Sequence, residues 1–511
     1  MQPLKSGKMQ VQDLFFSSKD TIEKFAEMQV HLYRNDVGLQ NYFHALDAGM
    51  FYASADRVVK RSPVNRITAW AVHCADKASQ NPKPRKFKAD ILFCPTPYFG
   101  RRTENRFVVR TLLGLAQTGA EILCLLPVYA PFRRELDAAL ASAGYSNQVT
   151  FLDPGMPFNP VESRLRSASA RLRANAAIDE IIQILEPYDL GLGSYELADF
   201  EKAALCIESW ERLAPYIEFD AVVSRCHWYE FCSPVCHTGM QRGKPVVTFQ
   251  QGVVGHSLDV PIIASKFVTF GAPSAAVLEE INQRFCNAAG LPESRVEFFA
   301  AGSLFDTVIP LPDQFSLQTL LLIDMHSVQG DTWGDAGQTR ALLQLAQDLL
   351  AAKLPLRRMV IRPHPQWSEL DLSDCLKLVR EHRDVCELSH PAWSLEDDLR
   401  RSSVVVGVWS GALTIASASG LPTVFLQTEQ GFTTRDLDCF SPAQTLTPAE
   451  AFRELGRLLT EPGLYAEARK VALQNAGKYY AGGSNAALDG AFFTEVLSSR
   501  PMKQATLAGP Q

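Results

Sequence analysis

The sequence predicts an α/β protein: two tandem doubly wound, Rossmann-like domains facing a cleft, preceded by a helical N-terminal extension. Three observations carry that expectation. At 511 residues the chain exceeds what one hydrophobic core ordinarily supports. Short apolar runs of strand length alternate with helical stretches in two successive series, the pattern of parallel sheets covered on both faces by helices. Two runs of the second series, Met359–Ile361 and Val404–Val408, empty into Arg362-Pro363-His364-Pro365 and Trp409-Ser410-Gly411. In an open parallel sheet, ligands bind outside the carboxyl ends of the strands.

Composition narrows the class. A hydrophobic content of 46% with 21% charged residues is that of a globular protein, and a net charge of −6 gives no electrostatic ground for a nucleic-acid partner. No apolar run approaches the ~18 residues of a membrane span, and the first residues lack a signal-peptide core, so a cytoplasmic address is expected. The eleven cysteines are scattered and odd in number, with Cys94 and Cys124 inside apolar runs, which points to reduced core thiols. One cluster, Cys226, His227, Cys232, Cys236 and His237, lacks the paired knuckles of a structural zinc site, and no metal is expected there.

In chain order, residues 1–88 are expected to form the helical extension and a linker. Phe25, Met28 and Leu32, then Val58, Ile67 and Trp70, recur at helical steps. The basic, proline-interrupted Lys83-Pro84-Arg85-Lys86-Phe87-Lys88 reads as the linker, with peripheral contact to anionic lipid at the inner face of the membrane as the alternative. Residues 89–295 are expected as the first domain, with strands at Asp90–Cys94, Glu121–Leu126, Val149–Leu152, Ala221–Ser224, Val246–Phe249 and Phe267–Phe270. Ser163–Leu185, rich in Ala and Arg, reads as helix. Residues 296–500 are expected as the second domain, with strands at Phe298–Ala301, Thr319–Ile323, Met359–Ile361, Val385–Leu388, Val404–Val408 and Thr423–Leu426, then helices over Pro448–Ser499. Residues 501–511 form a short polar tail, expected to be disordered.

The strand ends supply the chemistry. His364, braced between two prolines, is aimed at the end of its strand, where it could donate to a phosphate oxygen while Arg362 adds a charge-assisted bond; its plain alternative is a turn histidine capping a carbonyl. Ser410 and Gly411 open a small-residue helix whose N–H groups and dipole suit an anion, or simply cap that helix. His326 and Ser327 lie at a third strand end and could line the same pocket or belong to an ordinary polar loop. In the first domain, Glu104 on the loop leading into a helix could face the cleft as general base, or merely pair with the helix dipole. His227, Glu230 and the loop with Gly252, Gly255 and His256 are the other cleft candidates.

These motifs together resemble bacterial surface-polysaccharide glycosyltransferases of the two-domain GT-B architecture: capsule-type Kdo transferases, polysialyltransferases and teichoic-acid glycerophosphotransferases. Gln251-Gly252 is similar to their turn ending an N-domain strand, and Gly302-Ser303-Leu304-Phe305-Asp306 to their entry into the C-terminal domain. Arg362-Pro363-His364-Pro365 resembles their donor-phosphate motif, Ser410 falls at their phosphate-binding serine, and Gly420-Leu421-Pro422 at the turn before their next strand. Where many such enzymes hold the donor ribose with Glu, this chain has Ile415 beside Thr414, which opens the way to a cytidine-linked donor and makes Thr414 a candidate contact. The resemblance implies transfer of a sugar, or a sugar-like alcohol phosphate, from a nucleotide-sugar donor to a polysaccharide or lipid-linked acceptor, with no cofactor. A non-hydrolysing sugar-nucleotide epimerase and a non-catalytic sugar- or phosphate-binding protein share the layout.

Overall fold

The structure, a computed structural model, describes residues 9–10, 86–95, 102–126, 133–154, 168–185, 190–191, 194–227, 232–250, 252, 262–289, 296–304, 308–325, 336–363, 373–408, 410–427, 435–440, 443–483 and 488–498. The expected helices of residues 1–88 and the expected tail at 501–511 lie outside these residues, apart from a two-residue pairing of Met9–Gln10 with Leu190–Gly191 and the start of the first strand.

The first sheet contains β1 (Phe87–Cys94), β2 (Ile122–Leu125), β3 (Val149–Leu152), β4 (Ile217–Ser224), β5 (Val246–Phe249), β6 (Lys266–Thr269) and β7 (Glu297–Ala300), in the spatial order β3-β2-β1-β4-β5-β6-β7. The second contains β8 (Thr319–Met325), β9 (Arg358–Pro363), β10 (Cys386–Leu388), β11 (Val404–Gly407), β12 (Thr423–Leu426) and β13 (Thr445–Leu446), in the order β10-β9-β8-β11-β12-β13. Every pairing in both sheets is parallel. β2, β5, β11 and β12 are buried along their whole length, as parallel strands covered by helices on both faces should be. Each sheet begins at its centre, grows to one edge, then returns across its first strand. That reversal leaves a crevice at the carboxyl ends of β1 and β4 in one domain, and of β8 and β11 in the other. Both sheets are doubly wound and Rossmann-like.

Around the first sheet run α1 (Arg102–Gln117), α2 (Arg133–Ser142), α3 (Ala168–Leu185), α4 (Ser194–Leu213), α5 (Ser233–Gln241) and α6 (Ala272–Ala289). Around the second run α7 (Ala336–Ala351), α8 (Ser373–Glu381), α9 (Leu395–Leu399), α10 (Gly411–Ala418), α11 (Pro448–Thr460) and α12 (Pro462–Tyr479), followed by α13 (Gly490–Ser498). No helix among the described residues is long and apolar enough to cross a membrane.

Two expectations need correcting. The run after Val296 does not open the second series: β7 pairs along β6, with the Phe267 and Phe298 rings 6.0 Å apart, so it completes the first sheet. β1 starts inside the segment read as linker, because Phe87 and Lys88 pair with Ile217 and Glu218 of the longer β4.

The chain ends by coming back. After α12 the backbone N–H of Ala481 donates to the Phe270 carbonyl at 2.8 Å, and the Gly490 N–H donates to Gln117 Oε1 at 2.8 Å. α13 then lies on α1 of the first domain, where Lys266 donates to the Val496 carbonyl. Glycine permits this docking. A Cβ at Gly114 would stand 2.2 Å from the Leu488 carbonyl oxygen, and one at Gly271 2.1 Å from that of Tyr479. One apolar cluster accordingly joins Phe93 and Phe107 of the first domain, Ile323 and Leu413 of the second, and Tyr479 and Phe493 of the returning segment.

Candidate functional site

In the second domain the crevice between β8 and β11 is closed on one side by the start of α10. Ser410 is extended (φ −170°, ψ 144°) and its hydroxyl oxygen accepts the Ala412 N–H at 3.1 Å, so it caps the helix as the short polar residue before an apolar run should. Ser410 is half-buried, and among the described residues a Cβ placed on Gly411 would meet no atom within 4 Å. No described residue therefore blocks the first turn of α10 at Gly411, where backbone N–H groups and the positive dipole end point outward. Gly420 closes the helix at φ +85°, a conformation that favours glycine.

Thr414 does not join this opening. It is fully buried, donates to the Gly411 carbonyl at 2.8 Å and is 2.5 Å from the Tyr480 hydroxyl, so its oxygen is taken up in holding the returning segment. The expected donor contact at Thr414 is corrected accordingly.

Arg362, at the end of β9, is also committed within the protein. Its guanidinium is ion-paired with Asp398 of α9, and the Ser389 hydroxyl donates to the same carboxylate oxygen at 2.7 Å. Asp398 is 2% exposed, and a carboxylate so deep holds its partner because it has no water to turn to. Arg362 is therefore an anchor of its strand end. His364, His326 and Ser327, which follow β9 and β8, lie outside the described residues.

In the first domain the corresponding crevice lies between β1 and β4. The Arg225 N–H continues the ladder by donating to the Cys94 carbonyl at 2.9 Å, and its guanidinium lies over the Phe107 ring at 5.0 Å. Two residues on, His227 is buried. Its Nδ1 accepts the Ile263 N–H at 3.3 Å, its ring stands edge-on to Phe267, and burial, aided by nearby His237, pushes its pKa down to about 3. So weak a base takes up no second proton near neutrality, and His227, 2% exposed, stands in the structure as a neutral core imidazole where a cleft base was expected. His237 is likewise pushed down to about 4 by burial. The neighbouring thiols are core residues too: Cys94 Sγ is 3.8 Å from Cys232 Sγ, and burial raises Cys94 well above the ordinary thiol range. Among the described residues no three His, Cys, Asp or Glu side chains gather as a metal site.

Glu104 falls in the first turn of α1, its side chain outside the described residues, as are Glu230 and His256. At the end of β5, buried Gln250 donates to the Gly252 carbonyl at 2.7 Å and accepts the Phe270 N–H at 2.8 Å, which ties Gly252 to the strand end.

Arg106, half a turn beyond Glu104, reaches across to Glu396 of α9 at 2.8 Å, so the beginning of α1 faces the second domain. Arg106, Arg225, Glu396 and Asp398 were absent from the sequence expectations. For the last two a signal existed: Ser394 and Asp397 spell a capping box, which the structure forms, and so announce a helix carrying three consecutive acids.

No protein-family model matches this chain, and no curated protein sequence does. Similar solved structures include MurG of Acinetobacter baumannii, at 12% identity over 80% of this chain and 98% of that one, with a TM-score of 0.40. The N-terminal domain of Candida albicans trehalose-6-phosphate phosphatase is similar at 11% identity over 82% and 100% of the two chains, with a TM-score of 0.48. Anabaena HepE in complex with UDP and glucose is similar at 9% identity over 80% and 99%, with a TM-score of 0.44.

Proposed function

We propose that the protein is a glycosyltransferase that binds a nucleotide-activated donor at the β8/β11 crevice and presents an acceptor hydroxyl from the first domain. One observation carries this reading: the first turn of α10, capped by Ser410, starts at the reversal point of a doubly wound sheet, with no described residue packed against Gly411. Backbone N–H groups held there stabilise a phosphate leaving group without reorganising, and a water-poor cleft strengthens each contact.

In this reading His364, the residue after β9 in the chain, binds the same phosphate together with His326 and Ser327. Arg362 acts indirectly, by fixing the strand end from which that loop departs. Glu104 is the general base: it sits two residues before Arg106, whose contact with Glu396 turns this end of α1 toward the donor domain. The donor is a cytidine-linked sugar and the acceptor a surface polysaccharide or lipid-linked glycan, with the protein working at the inner face of the membrane.

A thermal-shift screen of cytidine, uridine, guanosine and thymidine nucleotides tests the donor site, because a ligand that binds only the native state raises Tm. The cytidine series should rank first and His364→Ala should flatten the response. No shift with any nucleotide would refute the reading, and conversion of a sugar nucleotide with no acceptor present would assign an epimerase instead.

A further inference from the structure

We propose that Arg106 and Glu396 form an interdomain clasp which sets the position of the β9 end, so that bringing the domains together and ordering that strand end are one event. Calling that end donor-side rests on the function proposed above; the clasp itself does not. The pair is 2.8 Å long and Glu396 is only 14% exposed, which removes much of the solvent screening that makes surface pairs weak. Glu396 belongs to a five-residue helix whose start is locked by the reciprocal bonds of Ser394 and Asp397. Two residues along the same helix, buried Asp398 takes both Arg362 and the Ser389 hydroxyl on one oxygen. Its other oxygen has no partner among the described residues. The second domain thus presents, two residues apart on one short helix, the acid that meets the first domain and the acid that holds the strand end.

α9 is too short to bend, so a displacement of Glu396 is passed to Asp398 and on to Arg362. On the other side of the contact, Arg106 shares the beginning of α1 with Glu104. Arg106 and Glu396 are positioning residues: neither reaches a reacting atom, and both locate elements that would.

Hydrogen exchange read by mass spectrometry on the ligand-free protein tests the clasp. Arg106→Glu should speed exchange about fivefold in peptides covering 358–363 and 395–399, because local opening is what exchange reports, while β2 is unaffected. Adding Glu396→Arg to it should bring both segments back toward the wild-type rate. Glu396→Gln, which keeps shape and loses charge, should move them in the same direction as Arg106→Glu and serves should that variant not fold. The proposal is overturned if exchange at 358–363 stays at the wild-type rate in the single variants, or if the charge swap gives only the sum of its two parts. The nucleotide thermal shift of the wild-type protein judges the donor site separately.

Discussion

At the scale of single residues, open space and occupied space make opposite predictions. No described residue lies within 4 Å of a Cβ at Gly411, so Gly411→Val should leave urea unfolding within about 1 kcal/mol of wild type. The added isopropyl group would fill the mouth of the crevice, and the nucleotide-induced rise in Tm should disappear. An undiminished rise in that variant would place the ligand elsewhere. Asp398 is the reverse case. Asp398→Asn leaves Arg362 half-buried beside a neutral amide and should cost about 3 kcal/mol in urea unfolding, the penalty for breaking a buried ion pair by removing one partner. Neither fate was written in the local sequence. Arg362 follows an apolar run whether its guanidinium meets a ligand or an acid 36 positions later. His227 reads the same whether its ring meets water or Phe267.

At the scale of elements, the strands were legible and their partners were not. Val246–Phe249 and Thr423–Leu426 fall where the sequence put them, because a parallel strand covered on both faces must be a short, largely apolar run. β7 has the same local character, yet which sheet it joins depends on the free edge of β6, which no local pattern encodes. The cap at Ser410 was legible, since capping is settled within three residues; the Arg106–Glu396 contact, 290 positions apart, was not. The β4–α5 unit carries a pH dependence. His227 and His237, held by burial near about 3 and about 4, return on unfolding to about 6.5. Below about pH 6.5 the unfolded chain therefore binds the extra protons, and stability falls with pH by up to about 1.4 kcal/mol per unit for each ring until the folded values are reached. Calorimetry from about pH 7 down to about pH 5 should show a falling Tm. Replacing both rings by Gln should flatten that slope, and an already flat wild-type profile would mean that the rings reach water in the folded state.

At the scale of the whole molecule, the returning C-terminal segment makes the two domains mutually dependent. Gly271→Ala would drive a methyl group against the Tyr479 carbonyl, and overpacking of this kind costs about 1–3 kcal/mol. The loss should appear in urea unfolding, together with exposure of the apolar face shared by α1 and α13; unchanged stability would show that the backbone there yields easily. The same arrangement bears on biosynthesis. The first domain emerges early from the ribosome but lacks the helix that seals it until translation reaches Ser498, so over nearly two hundred further residues its flank stays uncovered. A nascent chain built this way calls for chaperone shelter, and separate expression of its N-terminal half would yield a product prone to aggregate.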